Sequence, residues 1–191
     1  MPINVCDIKL YGSECLRTSC TDVKDIGQAT LTIISSMIDT MLYYNGVGLA
    51  NNQIGGNLNI AVFDSEPLQV NSNYEDYLVL LNPKITPHKQ IGTILNTEGC
   101  LSFLDARLDI RRFVEIEVEY LDIKTKTIKT QIFNKQLISS AIQHEVDHLN
   151  GITFNMKATQ DSLKKNKHLL EDVRMIGTLT KDMVKYIMSE R

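Results

Sequence analysis

Long apolar runs are missing from this chain of 191 residues: no stretch of about 18 apolar residues occurs, so no membrane-spanning helix is expected. The opening residues, MPINVCDIKLYG, have neither the basic start nor the apolar stretch of a secretory signal, and a cytoplasmic location is expected. Cysteine is sparse. Cys6, Cys15, Cys20 and Cys100 are irregularly spaced in a chain long enough to bury its own core, so reduced thiols are expected rather than disulfide staples. Cys6, Cys15 and Cys20 read as small buried apolar side chains. An excess of basic residues is also lacking. Twenty Lys and Arg against 23 Asp and Glu leave a net charge of −3, with the lysines spread out, which gives no footing for DNA binding. Repeats, low-complexity tracts and Gly/Ser- or Pro-rich linkers are absent too. One domain over residues 1–191 is therefore expected, with a helical C-terminal extension from about residue 158.

What is present is ordinary for a soluble domain with a sizeable core: 43% hydrophobic and 23% charged residues. From Gln28 to Tyr44 the apolar residues Leu31, Ile34, Ile38, Met41 and Leu42 recur at helical spacing, and Asn45-Gly46 ends the run. Residues 58–63 and 77–81 read as strands, the second stopped by Asn82-Pro83. The clearest strand is 114–120, where Val114, Ile116, Val118 and Tyr120 alternate with Glu115, Glu117 and Glu119. A second alternating run, 127–132, predicts a hairpin around Asp122–Thr125 that would set lysine near glutamate. Helix is expected again over 137–149, closed by Asn150-Gly151, and over 161–191, interrupted at Gly177. Strands followed by helices suggest an α+β fold.

The helix over 137–149 carries QHEVDH, residues 143–148, a form of HExxH. His144 and His148, four apart, share one helix face and can grip a single ion, while Glu145 reaches a water at that ion without ligating it. A catalytic metal of this type takes three protein ligands and leaves a position for water. Two candidates stand for the third. Cys100, in Glu98-Gly99-Cys100-Leu101-Ser102, would be a strong soft donor as a thiolate. Glu171 follows at a distance compatible with the carboxylate ligand of zinc peptidases. Spacing alone does not choose between them. His88, in a loop after Pro87, and His168, in a lysine-rich helix, are left outside the site. The glycines of residues 46–53 permit close approach to a ligand. The segment lacks the Gly-Lys-Ser/Thr ending of a phosphate loop, so no nucleotide is expected.

Together, GVGLANNQ (46–53), EGCLS (98–102) and QHEVDHLNG (143–151) resemble, in order and spacing, the three signature motifs of the peptide deformylases. The likeness spans about residues 8–157, since Cys15-Leu16-Arg17 is similar to an early leucine-arginine pair of that family. The resemblance implies an α+β fold of mixed or antiparallel β-sheets around a central metal-binding HExxH helix, followed by a C-terminal helix. It implies a hydrolase that removes the formyl group from the N-terminal formyl-methionine of new polypeptides, with Fe(II) as the metal and zinc, nickel or cobalt as substitutes. Carried across residue by residue, it makes Cys100, His144 and His148 the metal ligands and Glu171 a surface residue. Glu145 becomes the general base that takes a proton from the attacking water and passes it to the departing amine. The Gln53 side-chain amide and the Leu101 backbone N–H become donors to the formyl oxygen.

The same resemblance lays the peptide extended along Val47-Gly48, with Glu98 and Gly99 also in the substrate site. The methionine pocket would be lined by Val47, Leu101, Ser140, Ala141 and the stem of Arg107. Nascent formyl-methionyl peptides and the ribosome near its exit tunnel are the implied partners, with no DNA and no membrane. Four residues depart from the family pattern. Asn51 and Asn52 stand where alanine and often proline are common, Leu104 where proline commonly follows the cysteine motif, and Ser140 where relatives often carry an aliphatic residue, which implies a wider pocket. Two other readings compete: a zinc endopeptidase with a downstream carboxylate ligand, and a non-catalytic deformylase-like module that binds peptides.

Overall fold

A computed structural model describes residues 4–179. In chain order the elements are β1 (Ile8–Lys9), α1 (Gln28–Tyr43), β2 (Gly48–Ala50), β3 (Ile60–Asp64), α2 (Ser65–Leu68), β4 (Tyr77–Pro87), β5 (Thr93–Gly99), β6 (Arg107–Phe113), β7 (Ile116–Leu121), β8 (Ile128–Phe133), α3 (Gln136–Leu149), α4 (Gln160–Lys165), α5 (Lys167–Ile176) and β9 (Thr178–Leu179). Short 3-10 turns at Asn51–Ile54 and Leu101–Phe103 follow β2 and β5. β2, β3, β4, β7 and β8 form one sheet in that order, while β5 pairs with β6 and β1 with β9. All six ladders among the described strands are antiparallel.

The central strands β3 and β4 are apolar on both faces because both are covered. Ile60, Val62, Val79 and Leu81 pack with Ile34, Met37, Ile38 and Met41 of α1. The alternate residues Ala61, Phe63, Leu78 and Leu80 pack with Ile138, Ile142, Val146 and Leu149 of α3. Each fully buried side chain of this kind contributes roughly 1.5–3 kcal/mol. A third apolar cluster, with Phe103, Leu108, Ile110 and Phe154, includes Cys100 and residues of β6. β5 and β6 reach the polar face of α3 through Asn96, Glu98 and Arg112. α3 is thereby enclosed by the five-stranded sheet on one side and the β5–β6 hairpin on the other.

Several local expectations change in the structure. Asn82-Pro83 does not end β4. The strand runs on to Pro87 with a shift of register between Leu81 and Lys84, and Asn82 takes φ +53. A bulge leaves the imino nitrogen of proline outside the ladder, so the strand survives it. Lys129 does not approach a glutamate of the hairpin. It lies opposite Tyr120 and bonds Asp122 at 3.1 Å, while Glu119 meets Lys84 of β4 at 3.4 Å. Cys6, Cys15 and Cys20 are half-buried rather than fully buried, and all four cysteines are free thiols. The helical run expected from residue 161 ends at Ile176, where Gly177 takes φ +83 and the chain turns to pair β9 with β1. The rest of that expected helix, residues 180–191, lies outside the described residues. Among the described residues, no helix is long and apolar enough to cross a membrane.

Asp122 anchors the β7–β8 turn. Its fully buried carboxylate accepts hydrogen bonds from the Thr125 N–H and hydroxyl, both at 2.8 Å, and from the Asn73 amide at 3.4 Å. Burial alone would raise its pKa, but the Thr125 bonds and the Lys129 ammonium outweigh it and leave the pKa below the usual 3.8. The sign follows: this stabilisation is complete above the unfolded value and is lost as pH falls through the lower folded value. Asp122→Asn should cost about 1–3 kcal/mol at pH 7 and flatten the fall in stability below pH 3.8, as measured by urea unfolding across a pH series.

Candidate active site

Helix α3 divides its surface between two jobs. Ile138, Ile142, Val146 and Leu149 face the sheet, and Gln136, Ser140, His144 and His148, four residues apart, form a polar stripe on another face. The helix ends at Asn150, and Gly151 takes φ +72 with the Arg17 carbonyl 2.8 Å from where a Cβ would sit. That position admits only glycine without rearrangement.

The stripe meets Cys100, which lies between β5 and the following 3-10 turn. One ligand atom from each of Cys100, His144 and His148 lies within 4.8 Å of the others, and all three residues are buried. The Cys100 Sγ is 3.2 Å from Nε2 of His148. His144 is held from behind, its Nδ1 being 2.9 Å from Oε2 of Glu98, which leaves its Nε2 for the interior of the cluster. A carboxylate on the far nitrogen of a ligating histidine fixes the tautomer and raises its basicity. Burial disfavours charge on both rings. On His144 the Cys100 sulfur and Glu98 outweigh burial and push the pKa up, whereas His148 is pushed down by burial and by the neighbouring His144 and Arg112 charges. A thiol with two imidazoles is a soft to borderline donor set that suits a transition metal better than magnesium or calcium. Glu171 does not join it: that side chain is 62% exposed on α5, 3.9 Å from Lys167.

Glu145 is buried beside this cluster, and its Oε2 has no hydrogen-bond partner among the described residues. Burial, with Glu98 adding to it, raises its pKa to about 7 against the opposing pull of His144 and Arg112. Gly48 makes room for it, since a Cβ there would stand 3.0 Å from Oε1 of Glu145. The glycine-rich loop thus serves close approach; the left-handed residue is Asn45, just before it, at φ +55. Gln53, also buried, accepts the Ala50 N–H at 2.8 Å and turns its amide nitrogen toward Ser102 at 3.2 Å and the Cys100 sulfur at 3.7 Å. Leu101 opens a 3-10 turn, where the first N–H groups have no acceptor within the turn.

These groups border a cavity of about 730 Å³. Gln53, Cys100, Leu101, His144 and Glu145 are among its lining residues, as are Val47, Gly48, Asn96, Gly99, Arg107, Gln136, Ser140 and Ala141. β2 is an edge strand of the five-stranded sheet, the kind of strand an extended chain can pair with. Glu98 also borders the cavity, yet its carboxylate is turned to His144 and Arg112 rather than outward. His148 lies deeper, 1% exposed. His88 is engaged elsewhere, 2.6 Å from Glu115.

Sequence reasoning missed the support behind the site. Arg112, 1% exposed, donates to both oxygens of Glu98 at 2.7 and 2.8 Å and to Asp147 at 2.6 Å, and Lys157 reaches the other oxygen of Asp147 at 2.6 Å. Glu98 is consequently held down to about 2: burial would raise it, but Arg112 and His144 outweigh that. A signal was available, because Arg112 occupies the same strand face as Leu108 and Ile110, where an unpaired charge would be costly. The departures at 51 and 52 are ties as well. The Asn51 side chain accepts the Leu58 N–H at 2.9 Å, and the Asn52 amide donates to the carbonyls of His148 and Cys15. Leu104 takes φ +51, which proline cannot adopt.

The polypeptide deformylase family profile matches residues 5–166. The chain is 33% identical over 169 residues to the peptide deformylase of Brachyspira hyodysenteriae, covering 88% of each chain. It is 37% identical over 148 residues to that of Aquifex aeolicus, covering 78% of this chain and 84% of the relative. The crystal structure of peptide deformylase from Thermus thermophilus superposes with a TM-score of 0.78 at 29% identity, covering 91% of this chain and 99% of that one. The family is metal-dependent, and the Cys100, His144 and His148 cluster is a possible metal site in this chain. The chain therefore belongs to the peptide deformylase family, the hydrolases that remove the formyl group from the N-termini of polypeptides.

Proposed function

We propose that Cys100, His144 and His148 hold Fe(II), with zinc, nickel or cobalt as substitutes, and that nascent formyl-methionyl peptides are deformylated in the adjoining cavity. The observation that carries this reading is the convergence of those three ligand atoms within 4.8 Å, with the buried Glu145 carboxylate beside them, its Oε2 unpartnered among the described residues. A cation bound there would lower the pKa of water to about 7 and polarise the formyl carbonyl. The remaining steps belong to the chain. Glu145 takes the proton of the attacking water and delivers it to the departing amine, so that the C–N bond breaks to formate and a free N-terminus. Gln53, through its amide, and Leu101, through its N–H, donate to the oxygen on which negative charge develops, each worth roughly 3 kcal/mol in the transition state.

The peptide lies along Val47 and Gly48 as an added strand, with its first side chain against Leu101, Ser140, Ala141 and the stem of Arg107 and with Gly99 in the floor. Glu98 acts here chiefly through His144. The setting is the cytoplasm, close to the ribosomal exit tunnel where new N-termini emerge.

Metal analysis after anaerobic purification, beside a formate assay on a formyl-methionyl peptide, tests the ligand set. Cys100→Ala should lose bound metal and activity together, and Glu171→Ala should keep both. Retention of metal by the first variant and its loss from the second would sink the deformylase ligand set in favour of a peptidase-like one.

A further inference from the structure

One wall of the cavity is polar where an apolar side chain would be expected to lie. Asn96 and Glu98 are two apart on β5 and share a strand face, a separation of about 6.6 Å. Ser140 and His144 are four apart on α3, about 6 Å along the helix. The two spacings match, and the elements meet in two rungs: Glu98 on His144 at 2.9 Å, and Asn96 on Ser140, whose hydroxyl accepts the Asn96 amide at 2.6 Å. One helical turn further, Gln136 donates to the Asn96 carbonyl oxygen at 2.6 Å, which fixes the amide with its nitrogen toward Ser140. All three residues line the cavity, Ser140 about one helical turn and Gln136 about two from His144, a proposed metal ligand.

A hydroxyl carries one donor and a side-chain amide nitrogen two. In this arrangement the Ser140 O–H and the second N–H of Asn96 remain as donors beside the space for the first side chain of the peptide. Filling that space with a wholly apolar tip desolvates both without replacing their water. The geometry points to a first-residue pocket that recognises an unbranched side chain ending in a hydrogen-bond acceptor. Methionine sulfoxide is the member of that class with the shape of methionine itself. Its oxygen accepts from Ser140 and Asn96, and Gln136 keeps the amide in register.

This rests on the deformylase reading, and the experiment separates the two. kcat/KM is measured on formyl peptides that differ only in the first side chain: methionine, methionine sulfoxide and norleucine. Absence of turnover of all three peptides would defeat the deformylase reading, and this one with it. Given turnover, the ratio of sulfoxide to norleucine tests the polar wall alone, and a ratio does not depend on the fraction of protein correctly folded. Ser140→Ala and Asn96→Leu should each lower it about five- to tenfold, the loss expected for one neutral hydrogen bond. A ratio unchanged in either variant overturns the proposal.

Discussion

Glu145→Ala should bind metal as the parent does while its formate release falls by roughly 10²- to 10⁴-fold, the usual contribution of a positioned general base. The two effects separate because Glu145 supplies no ligand atom to the Cys100, His144 and His148 cluster but is buried beside it. Burial raises its pKa above the usual carboxylate value, which strengthens it as a proton acceptor. The variant also frees space against Gly48 rather than creating a clash, so the fold should survive. Metal content and single-turnover formate release on the same anaerobic sample check the prediction, and full activity would remove Glu145 from the mechanism.

Replacing Arg112 should have the largest effect outside the catalytic groups. Arg112→Met leaves Glu98 and Asp147 as buried carboxylates that have lost their shared partner, and breaking such a cluster costs about 3–5 kcal/mol. The loss should reach the metal site. Glu98 is oriented by two bonds from Arg112 before it meets His144, and removing such support typically lowers metal affinity 10- to 100-fold. Arg112→Lys keeps the charge but not the two-pronged geometry, so it should recover stability more than metal affinity. Denaturant unfolding with and without metal, together with anaerobic metal titration, distinguishes the two. Equal recovery of both by lysine would make the arginine a matter of charge alone.

What could be read from the chain follows the range of the interactions involved. The helix over α1 and the strand over β7 announce themselves because their periodicity is local and is the direct image of one buried face. The breaker signal Asn82-Pro83, equally local, misplaces the end of β4, since a bulge accommodates the proline and the strand goes on pairing with β7. In β8 the alternation identifies a strand without saying which face is wet: Ile128 and Ile132, on this edge strand of the sheet, are 60% and 51% exposed.

The site divides along the same line. His144, Glu145 and His148 were legible because one turn of helix brings them together by geometry alone. Cys100 stands 44 residues upstream and remained one of two candidates on spacing, until likeness to a family favoured it. The pairings of Arg112 with Glu98 and Asp147, and of Asn96 with Ser140, were not legible at all. Arg112 with Glu98 joins β6 to β5, the other two pairings join a strand to α3, and only the pairing of β5 with β6 and their crossing over α3 decides which residues coincide. The chain's own pattern thus determined the helical turn that sets His144 and His148 on one face and the elements with a strong period, because those depend on neighbours along the chain. Tertiary structure alone decided what stands behind the ligands and what lines the pocket, because those contacts are set by how two separately formed surfaces dock.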